Sequence, residues 1–589
     1  MRHKSDRVRI DLQPMLAEQL DIDGDGAADT LMAQVHTAAR AIEHATEDAI
    51  ESARDAVLGG PRRSGSTRRV APGVRLEDGI IEFDGEVGDI DDALQVVAAH
   101  SETGRPVSRR TRAFVASALH SEPRRKWDAP RRKVFLQILR GKHATSALEL
   151  LDHVEAWESL IPEWLSVRGL PQHDPYHRLT VDGHLFTTVS EVTRLRGESE
   201  FVRNLCDEAG NLDALYLAAL LHDVGKASGE DHSVAGERIA QSICTRLGLD
   251  PAVNEDVAAL VRLHLLIPDT ATRRDLDDGT VIGHVAGAVE HERRLRLLYV
   301  LAMADGRATG PRAWNEWKAA LVHDLFAKTL VALETGRLPV RSDVALRARE
   351  LESYEPSLAG RARDILEQLP PSYLASTTVA DMADELRLLI APPGPGEVRC
   401  HIGDGAEAGQ AVVTLCVPDR PGTLARGAGV LAIHRVPVLS ARAYVTTDGL
   451  ALTRFLVARP PERTLAELPP AFDAAFSGRL ALEARLLDKI RDYRTGHPVR
   501  ADVRVLNDAS ATSTVVEIRA PDSLGLLYAL AAGLTDVDLD IHVAKIDTLG
   551  HRVVDVFYVR TLQGAKLGAE QSDEVRRAVR HRVDRLLNG

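Results

Sequence analysis

The sequence predicts an α+β protein of several domains: a helical domain bearing histidine and aspartate, then two copies of a smaller strand-and-helix unit. Three observations predict it. Apolar residues recur at helical spacing from about residue 180 to 340, with LLHDVGK (220–226) near the centre of that stretch. APPGPGE (391–397) breaks any helix and marks a boundary. Beyond it the apolar period changes, and one strand–turn–helix plan is used twice.

Composition bounds the function classes. The chain has 589 residues, 44% hydrophobic and 27% charged, which is globular composition with room for about three or four domains. A net charge of −13 gives a field that does not favour nucleic acid or anionic membrane, and neither is expected as a partner. Cys206, Cys244, Cys400 and Cys416 lie far apart with no CxxC, so a reducing compartment fits better than a disulfide framework. The start, MRHKSDRVRIDLQ, lacks the apolar core of a signal peptide, and no apolar run reaches the roughly 20 residues that span a bilayer. A cytoplasmic protein is expected.

The first 170 residues read mainly as helix. Residues 29–58 form an amphipathic pattern rich in Ala and Glu. Before it, Asp21, Asp23, Asp25 and Gly26 match the first half of a calcium loop, but position twelve is Met32, so a polar turn is expected. GGPRRSGSTRR (59–69) has the composition of a flexible basic linker, and IIEFDGEV (80–87) that of a short strand. Residues 90–168 are helical in pattern, and the basic run EPRRKWDAPRRK (122–133) reads as solvated surface.

After residue 400, AVVTLCV, a turn, a helix and a hairpin through Asp448–Gly449 are followed by TVVEIRA, a turn, a helix and a hairpin through Gly550. Asp-x-x-Gly-x-Leu recurs at each strand-to-helix turn. Asp419 to Phe455 is 36 positions, and Asp522 to Phe557 is 35. These are tandem βαββ-type repeats.

Six polar residues stand out in the helical stretch: His184, His222, Asp223, His232, His264 and Asp305. Imidazole and carboxylate together suit a divalent cation such as Mn²⁺, Mg²⁺, Fe²⁺ or Zn²⁺, and the lack of nearby cysteine argues against a zinc finger. Taken alone, His264 would read as a core histidine and Asp305 as a helix cap; the set of six favours a shared centre. Neighbours on a helix diverge by about 100°. His222 and Asp223 therefore share a site only if the pocket wraps round them or the aspartate bridges two metals. Gly225 is expected to leave room for a phosphate, and Lys226 to meet its charge. A divalent cation acidifies water and neutralises phosphoryl oxygens, so hydrolysis is the expected chemistry. No Ser-His-Asp elbow, Walker loop or Rossmann fingerprint competes.

PQHDPYHRLTVDGHL (171–185), ALLHDVGKASGEDHSVAGE (219–237), VRLHLLIPDTATRRDLDD (261–278) and ADGRATGPRAWNEWK (304–318) resemble the HD-superfamily metal phosphohydrolases. More closely, they resemble the bifunctional uridylyltransferase/uridylyl-removing enzymes that modify nitrogen-regulatory protein PII. The resemblance implies an all-α HD-type domain at 171–345, a helical connector and Pro/Gly linker at 346–400, and two βαββαβ ferredoxin-like ACT domains at 401–495 and 505–589. Residues 1–170 would be the helical region that follows the family's nucleotidyltransferase domain. That domain carries a Gly-Ser turn followed closely by Asp-x-Asp. Here Gly65–Ser66 is followed only at Asp89 and Asp91, so transferase activity is not expected of this chain.

The resemblance also implies roles. His184, His222, Asp223 and Asp305 would ligate Mg²⁺ or Mn²⁺, His264 and His232 would ligate or contact phosphate, and Lys226 would help bind the phosphate. Leu263 stands where the family often has the first histidine of a His-His pair, and Gly183 replaces a commonly charged residue. The reaction would remove UMP or AMP from a tyrosine of PII, whose phenolate, with a pKa of about 10, is a fair leaving group. Asp419, Arg420 and Gly422 in the first unit, and Asp522 and Gly525 in the second, would bind glutamine at a helix N-terminus. Ser523 stands where the first unit has Arg420, so the two are expected to bind unequally. The alternatives are an amino-acid-sensing regulator with a degraded metal site, and a guanosine tetraphosphate hydrolase. Enzymes of the latter kind carry other intervening domains, and none is read between 340 and 400.

Overall fold

The apolar stripe expected at 29–58 forms one long helix, Ala27–Leu58, in the computed structural model. The structure describes residues 12–588 apart from 25, 59–66, 86–87, 122–126, 173–178, 277, 311–312, 337–343, 371–372, 375–376, 391, 406–408, 492–499, 508, 511 and 550–551. Ser66, Asp25 and the turn at Gly550 thus lie outside the described residues. The chain divides into two compact units, Met1–Ile267 with Val289–Trp314, and Pro268–Ala288 with Asn315–Gly589. Among the described residues, no helix is long and apolar enough to cross a membrane.

Two N-terminal expectations change. Thr67–Arg69, assigned to the flexible linker, belong to strand β1 (Thr67–Ala71), which pairs antiparallel with β2 (Val74–Glu77) and through it with β3 (Ile80–Phe83). The Asp78–Gly79 turn that closes the hairpin has φ of 52° and 85°, which places Gly79 where glycine is favoured. The basic run at 122–133 is not simply a solvated face. Trp127 is buried, Asp128 caps the helix Ala129–Arg140, and the buried Arg131 guanidinium is held by Asp91 at 2.8 Å. Asp89, two residues before Asp91, caps the helix Ile90–Thr103.

The remainder of the first unit is a helical assembly around Leu212–Leu221 (LDALYLAALL). Ala214 to Leu221 are all buried, as expected of a helix that is apolar all round and sits at the centre. Around it pack Val181–Glu198, Pro251–Leu263 and Glu292–Thr309, with His232–Arg246 against Pro251–Leu263. Local chemistry starts these helices. Asn211, Asp231 and Asp250 accept from backbone N–H groups of the first turns, and Pro251 takes the first helical position, where its missing N–H costs nothing.

In the second unit the repeat is plain. One sheet runs β4 (Arg399–Asp404), β5 (Gln410–Pro418), β7 (Leu450–Ala458), β6 (Val438–Val445), β10 (Leu539–Leu549), β11 (Arg552–Thr561), β9 (Thr514–Pro521), β8 (Asp502–Leu506). Each half is an α+β module of four antiparallel strands and two helices, as expected, with one further helix, Leu482–Arg491, in the stretch between them. The edge strand, however, comes from residues before the βαββα core rather than after it, so the chain order is ββαββα. The halves join where β6 pairs with β10, with Ala441 opposite Ile546 and Arg442 opposite Lys545. One face is closed by the helices Thr423–Ile433, Glu462–Phe476, Leu482–Arg491, Leu526–Thr535 and Ala569–Val583, and it buries Phe455 and Phe557, the two positions that marked the repeat. Burying one such ring contributes roughly 2–3 kcal/mol.

The opposite face of each module is also covered. Helix Val379–Ile390 and its neighbours bury Cys416, Tyr444, Leu450 and Leu452 of the first module, with Arg454 of β7 paired to Asp381 at 2.6 Å and Glu385 at 3.2 Å. Over the second module lies Pro268–Ala288, which groups with this unit although it comes from the middle of the helical stretch.

Candidate metal centre

All six residues singled out in the helical stretch lie in the first unit, and the fold brings their side chains together. The doublet His222–Asp223 is not on a helix. Helix Leu212–Leu221 ends at its C-cap, His222, and residues 222–230 form turns and bends. Helix Pro251–Leu263 likewise ends with His264 as its C-cap. Nδ1 of His222 lies 3.1 Å from the Ala219 carbonyl, and Nδ1 of His264 lies 2.8 Å from that of Val261. A carbonyl only accepts, so in each ring Nδ1 carries the hydrogen and Nε2 presents its lone pair to the centre. His184 comes from the first turn of Val181–Glu198, its Nε2 3.2 Å from Nε2 of His222 and 3.0 Å from Oδ1 of Asp305.

Asp223 divides its carboxylate. Oδ2 is 3.6 Å from Nε2 of His222 and 3.9 Å from that of His184, while Oδ1 is 3.7 Å from Nε2 of His264 and 3.8 Å from that of His232. Two triads result, His184–His222–Asp223 and Asp223–His232–His264, each with ligand atoms within 4.8 Å of one another. Such a donor set fits a hard or borderline divalent cation, and Asp223 is common to both triads. Backbone turning, rather than helical projection, resolves the divergence expected of adjacent residues.

Electrostatics follow the packing. Burial pushes the His222 imidazole down to about 4 and outweighs the nearby Asp223 and Asp305. Burial works against ionised Asp223, yet His222, Lys226, His264 and His184 hold its carboxyl well below the usual range. Asp305 is likewise opposed by burial and kept low by the His184 hydrogen bond and His222. His232, the most exposed of the six at 32% of its side chain, is lowered mainly by burial. The lowered His222 and His232 favour the neutral imidazole and the lowered Asp223 and Asp305 the ionised carboxylate, the protonation states in which such groups ligate.

Gly225 serves another purpose than the one expected. A Cβ there would stand 2.2 Å from the His232 carbonyl and 2.6 Å from the Gly236 nitrogen. The space is filled by helix His232–Arg246, and the glycine permits the close approach that delivers His232 to the centre. Lys226 lies at the site, with Nζ 2.6 Å from Asp223 Oδ2 and 2.6 Å from Gln172 Oε1. The charge missing at Gly183 is present nearby from another element. Buried Asp182 accepts from the Arg40 guanidinium at 2.6 and 2.9 Å, and a Cβ on residue 183 would come 3.9 Å from that guanidinium.

A family profile described as HD domain matches residues 195–309, a span holding five of the six residues and starting after His184. The bifunctional uridylyltransferase/uridylyl-removing enzyme of Streptomyces coelicolor is 33% identical over 98% of this chain and 71% of its own length. The chain belongs to the bifunctional uridylyltransferase/uridylyl-removing enzyme family. Members from Gluconobacter oxydans and Azospirillum brasilense are 34% and 33% identical over 74% and 78% of the chain. The aligned region covers about half of these two, 49% and 51% of their lengths.

Three further residues of this uridylyltransferase/uridylyl-removing family member support the centre beyond the six: Asp182, Arg40 and Gln172. Asp182 and Gln172 stand inside the motifs TVDGHL and PQHD; the closeness of Asp182 to His184 is a local signal, whereas Gln172 lies 54 positions from Lys226 and has none. Nothing local marks Arg40, which lies 142 positions from its partner.

In the modules, Gly422 and Gly525 each cap a helix with φ of 82° and 84°, a conformation glycine adopts without strain. Arg420 is already engaged: its guanidinium donates to the Phe476 carbonyl at the end of helix Glu462–Phe476. Asp419 is pushed up to about 6 by burial and by Asp540. The turns differ in cover. A Cβ at Gly525 would meet Leu486 and Ile490 at 3.2–3.3 Å, whereas at Gly422 it would meet the Arg426 guanidinium at 3.3 Å and Thr535 at 3.7 Å.

Proposed function

We propose that this chain is a metal-dependent phosphodiesterase that removes UMP or AMP from a tyrosine of nitrogen-regulatory protein PII, controlled by glutamine through the two modules. The observation carrying this reading is the carboxylate of Asp223 shared between two imidazole sets, inside a family whose members are named for uridylyl removal. His184, His222, Asp223, His264 and Asp305 would hold Mg²⁺ or Mn²⁺. When bound, such an ion acidifies water and neutralises phosphoryl charge.

The chain's own residues do the rest. Lys226 turns from Asp223 toward a phosphoryl oxygen, adding a positive charge where negative charge develops. His232, kept unprotonated by partial burial and sited at the exposed rim, accepts a proton from attacking water. As the water oxygen bonds to phosphorus, the bond from phosphorus to the tyrosine oxygen breaks, and the departing phenolate takes up the proton that His232 accepted. Control by glutamine rests on the first module, where the half-buried Gly422 stands less covered than the buried Gly525 and Asp419 lies in a more enclosed setting than the exposed Asp522.

The test incubates nucleotidylated PII and guanosine tetraphosphate side by side with the protein and Mn²⁺. Release of nucleotide from PII, abolished in His222→Ala and Asp223→Ala, is the expected result. Release only from guanosine tetraphosphate, or from neither with no metal bound, overturns the proposal.

A further inference from the structure

The helix-free face of the second module carries a buried cation. Lys545 on β10 is 6% exposed, its ammonium 3.4 Å from the Tyr558 hydroxyl and 5.2 Å from that ring's centroid. Burying an ammonium costs several kcal/mol unless its hydrogens find acceptors. One acceptor comes from far away in sequence: Nζ is 3.3 Å from the carbonyl of Arg274. The same stretch is held at three further points. Ser510 Oγ donates to Asp275 Oδ2 at 3.0 Å, Arg273 lies 3.9 Å from Glu517 of β9, and Lys328 donates to the Leu276 carbonyl at 3.2 Å. Lys545, Tyr558, Glu517 and Val556 lie on one face by strand register, opposite the helices. Residues 273–276 therefore close a face that the module's own helices leave uncovered.

What makes the stretch notable is where it leaves the first unit and where it returns. The excursion begins at Pro268, four residues after His264, and the chain rejoins at Val289, three residues before the helix Glu292–Thr309 that carries Asp305. Helix Leu266–Arg273 covers most of the path from His264 to the anchor, and Gly279–Val289 most of the return. A short helix transmits displacement of one end to the other better than a flexible loop of equal length.

We propose that Pro268–Ala288 is a strap through which the second module sets the position of His264, with Lys545 and Ser510 as positioning residues acting through Arg274 and Asp275. This rests on the reading of the six-residue set as a metal centre. A change in the module that shifts β10 or the β8–β9 loop pulls on the segment that ends in His264.

The experiment uses the full chain and two readouts: amide exchange over residues 264–276, and Mn²⁺ affinity by calorimetry. Lys545→Met keeps the aliphatic stem and removes the donor, and Ser510→Ala removes only a hydroxyl should the first variant fail to fold. Both are expected to speed exchange over 264–276 at least fivefold and to weaken Mn²⁺ binding about three- to tenfold. Arg454→Met, which loosens the helical cover of the first module instead, is expected to change neither. Faster exchange confined to β10 and the β8–β9 loop, with Mn²⁺ affinity intact, overturns the strap. Should the wild type bind no Mn²⁺, the metal reading falls, and exchange over 264–276 alone decides: equal rates in wild type and both variants overturn the strap.

Discussion

The ammonium of Lys226 lies 2.6 Å from Oδ2 of Asp223. An ammonium there competes with a cation for the same oxygen, yet in a substrate complex it is within reach of a phosphoryl oxygen. Lys226→Met is accordingly expected to leave Mn²⁺ affinity unchanged or raised while lowering kcat/KM roughly 10- to 100-fold, about 1.4–2.7 kcal/mol of transition-state binding. Calorimetry and steady-state kinetics on nucleotidylated PII measure the two quantities. A parallel loss of both would make Lys226 a structural residue only.

Stability of the chelator-treated protein should fall on acidification earlier than its carboxylates require. Burial holds His222 at about 4 in the folded chain, against 6.5 when unfolded. Between those values the unfolded chain takes up a proton that the folded chain refuses. The favourable balance is therefore complete above pH 6.5 and is lost as pH falls toward 4, by about 3 kcal/mol. Denaturant unfolding from pH 7.5 to 4.5 should show this slope in the wild type and a flatter one in His222→Gln. Identical slopes would assign the acid sensitivity elsewhere.

The residues of the centre were legible because His222, Asp223, His264 and Asp305 adjoin apolar runs, where an unexplained histidine or aspartate stands out, and His184 and His232 stand at helical distances from them. Their convergence was not. It depends on two helices ending at His222 and His264, and on Gly225 admitting the backbone of residues 232–236, all backbone events with no period to read. The repeat after residue 400 was legible as offsets, but the origin of each edge strand was not, since β4 and β8 read alike as a strand before or after a unit. Long-range pairs such as Arg40–Asp182 and the grip of Lys545 on residue 274 carry no local signal at all.

Arg40 and Asp182 make the second stability prediction. Asp182 is fully buried two residues before His184 and accepts from Arg40, from the Gly169 amide and from its neighbour Gly183. Burial disfavours its charge, and the Arg40 hydrogen bonds still hold its carboxyl below the ordinary range. Removing the cation strands a charge in the interior, which typically costs about 3–5 kcal/mol, here reduced because Arg40 is 27% exposed. Arg40→Met is expected to lower the thermal transition of the first unit by several degrees and to weaken Mn²⁺ binding through His184. The pair Arg40→Met with Asp182→Asn should recover much of the stability, since both charges leave together. A double variant no more stable than the single one would show that packing, not charge, holds the contact.

Asp419 carries the last prediction. Burial and the neighbouring Asp540 push its carboxyl up to about 6, so it resists ionisation in the folded chain. For a carboxyl raised in this way the sign is the reverse of the usual case. Below the unfolded value near 4 both states are protonated and nothing is lost, and above pH 6 the folded chain bears the cost of the charge. Asp419→Asn should therefore stabilise the second unit by about 1–2 kcal/mol at pH 7.5, allowing for partial solvent screening, and leave it unchanged at pH 4. A glutamine ammonium placed against Asp419 and Asp540 would relieve the same repulsion, so the variant should gain stability and lose glutamine affinity together, the latter about tenfold or more. Calorimetric titration with glutamine at pH 7.5 reads the second effect. Unchanged affinity in Asp419→Asn would take the effector away from the first module's turn, and Asp522→Asn would then be the variant to lose it.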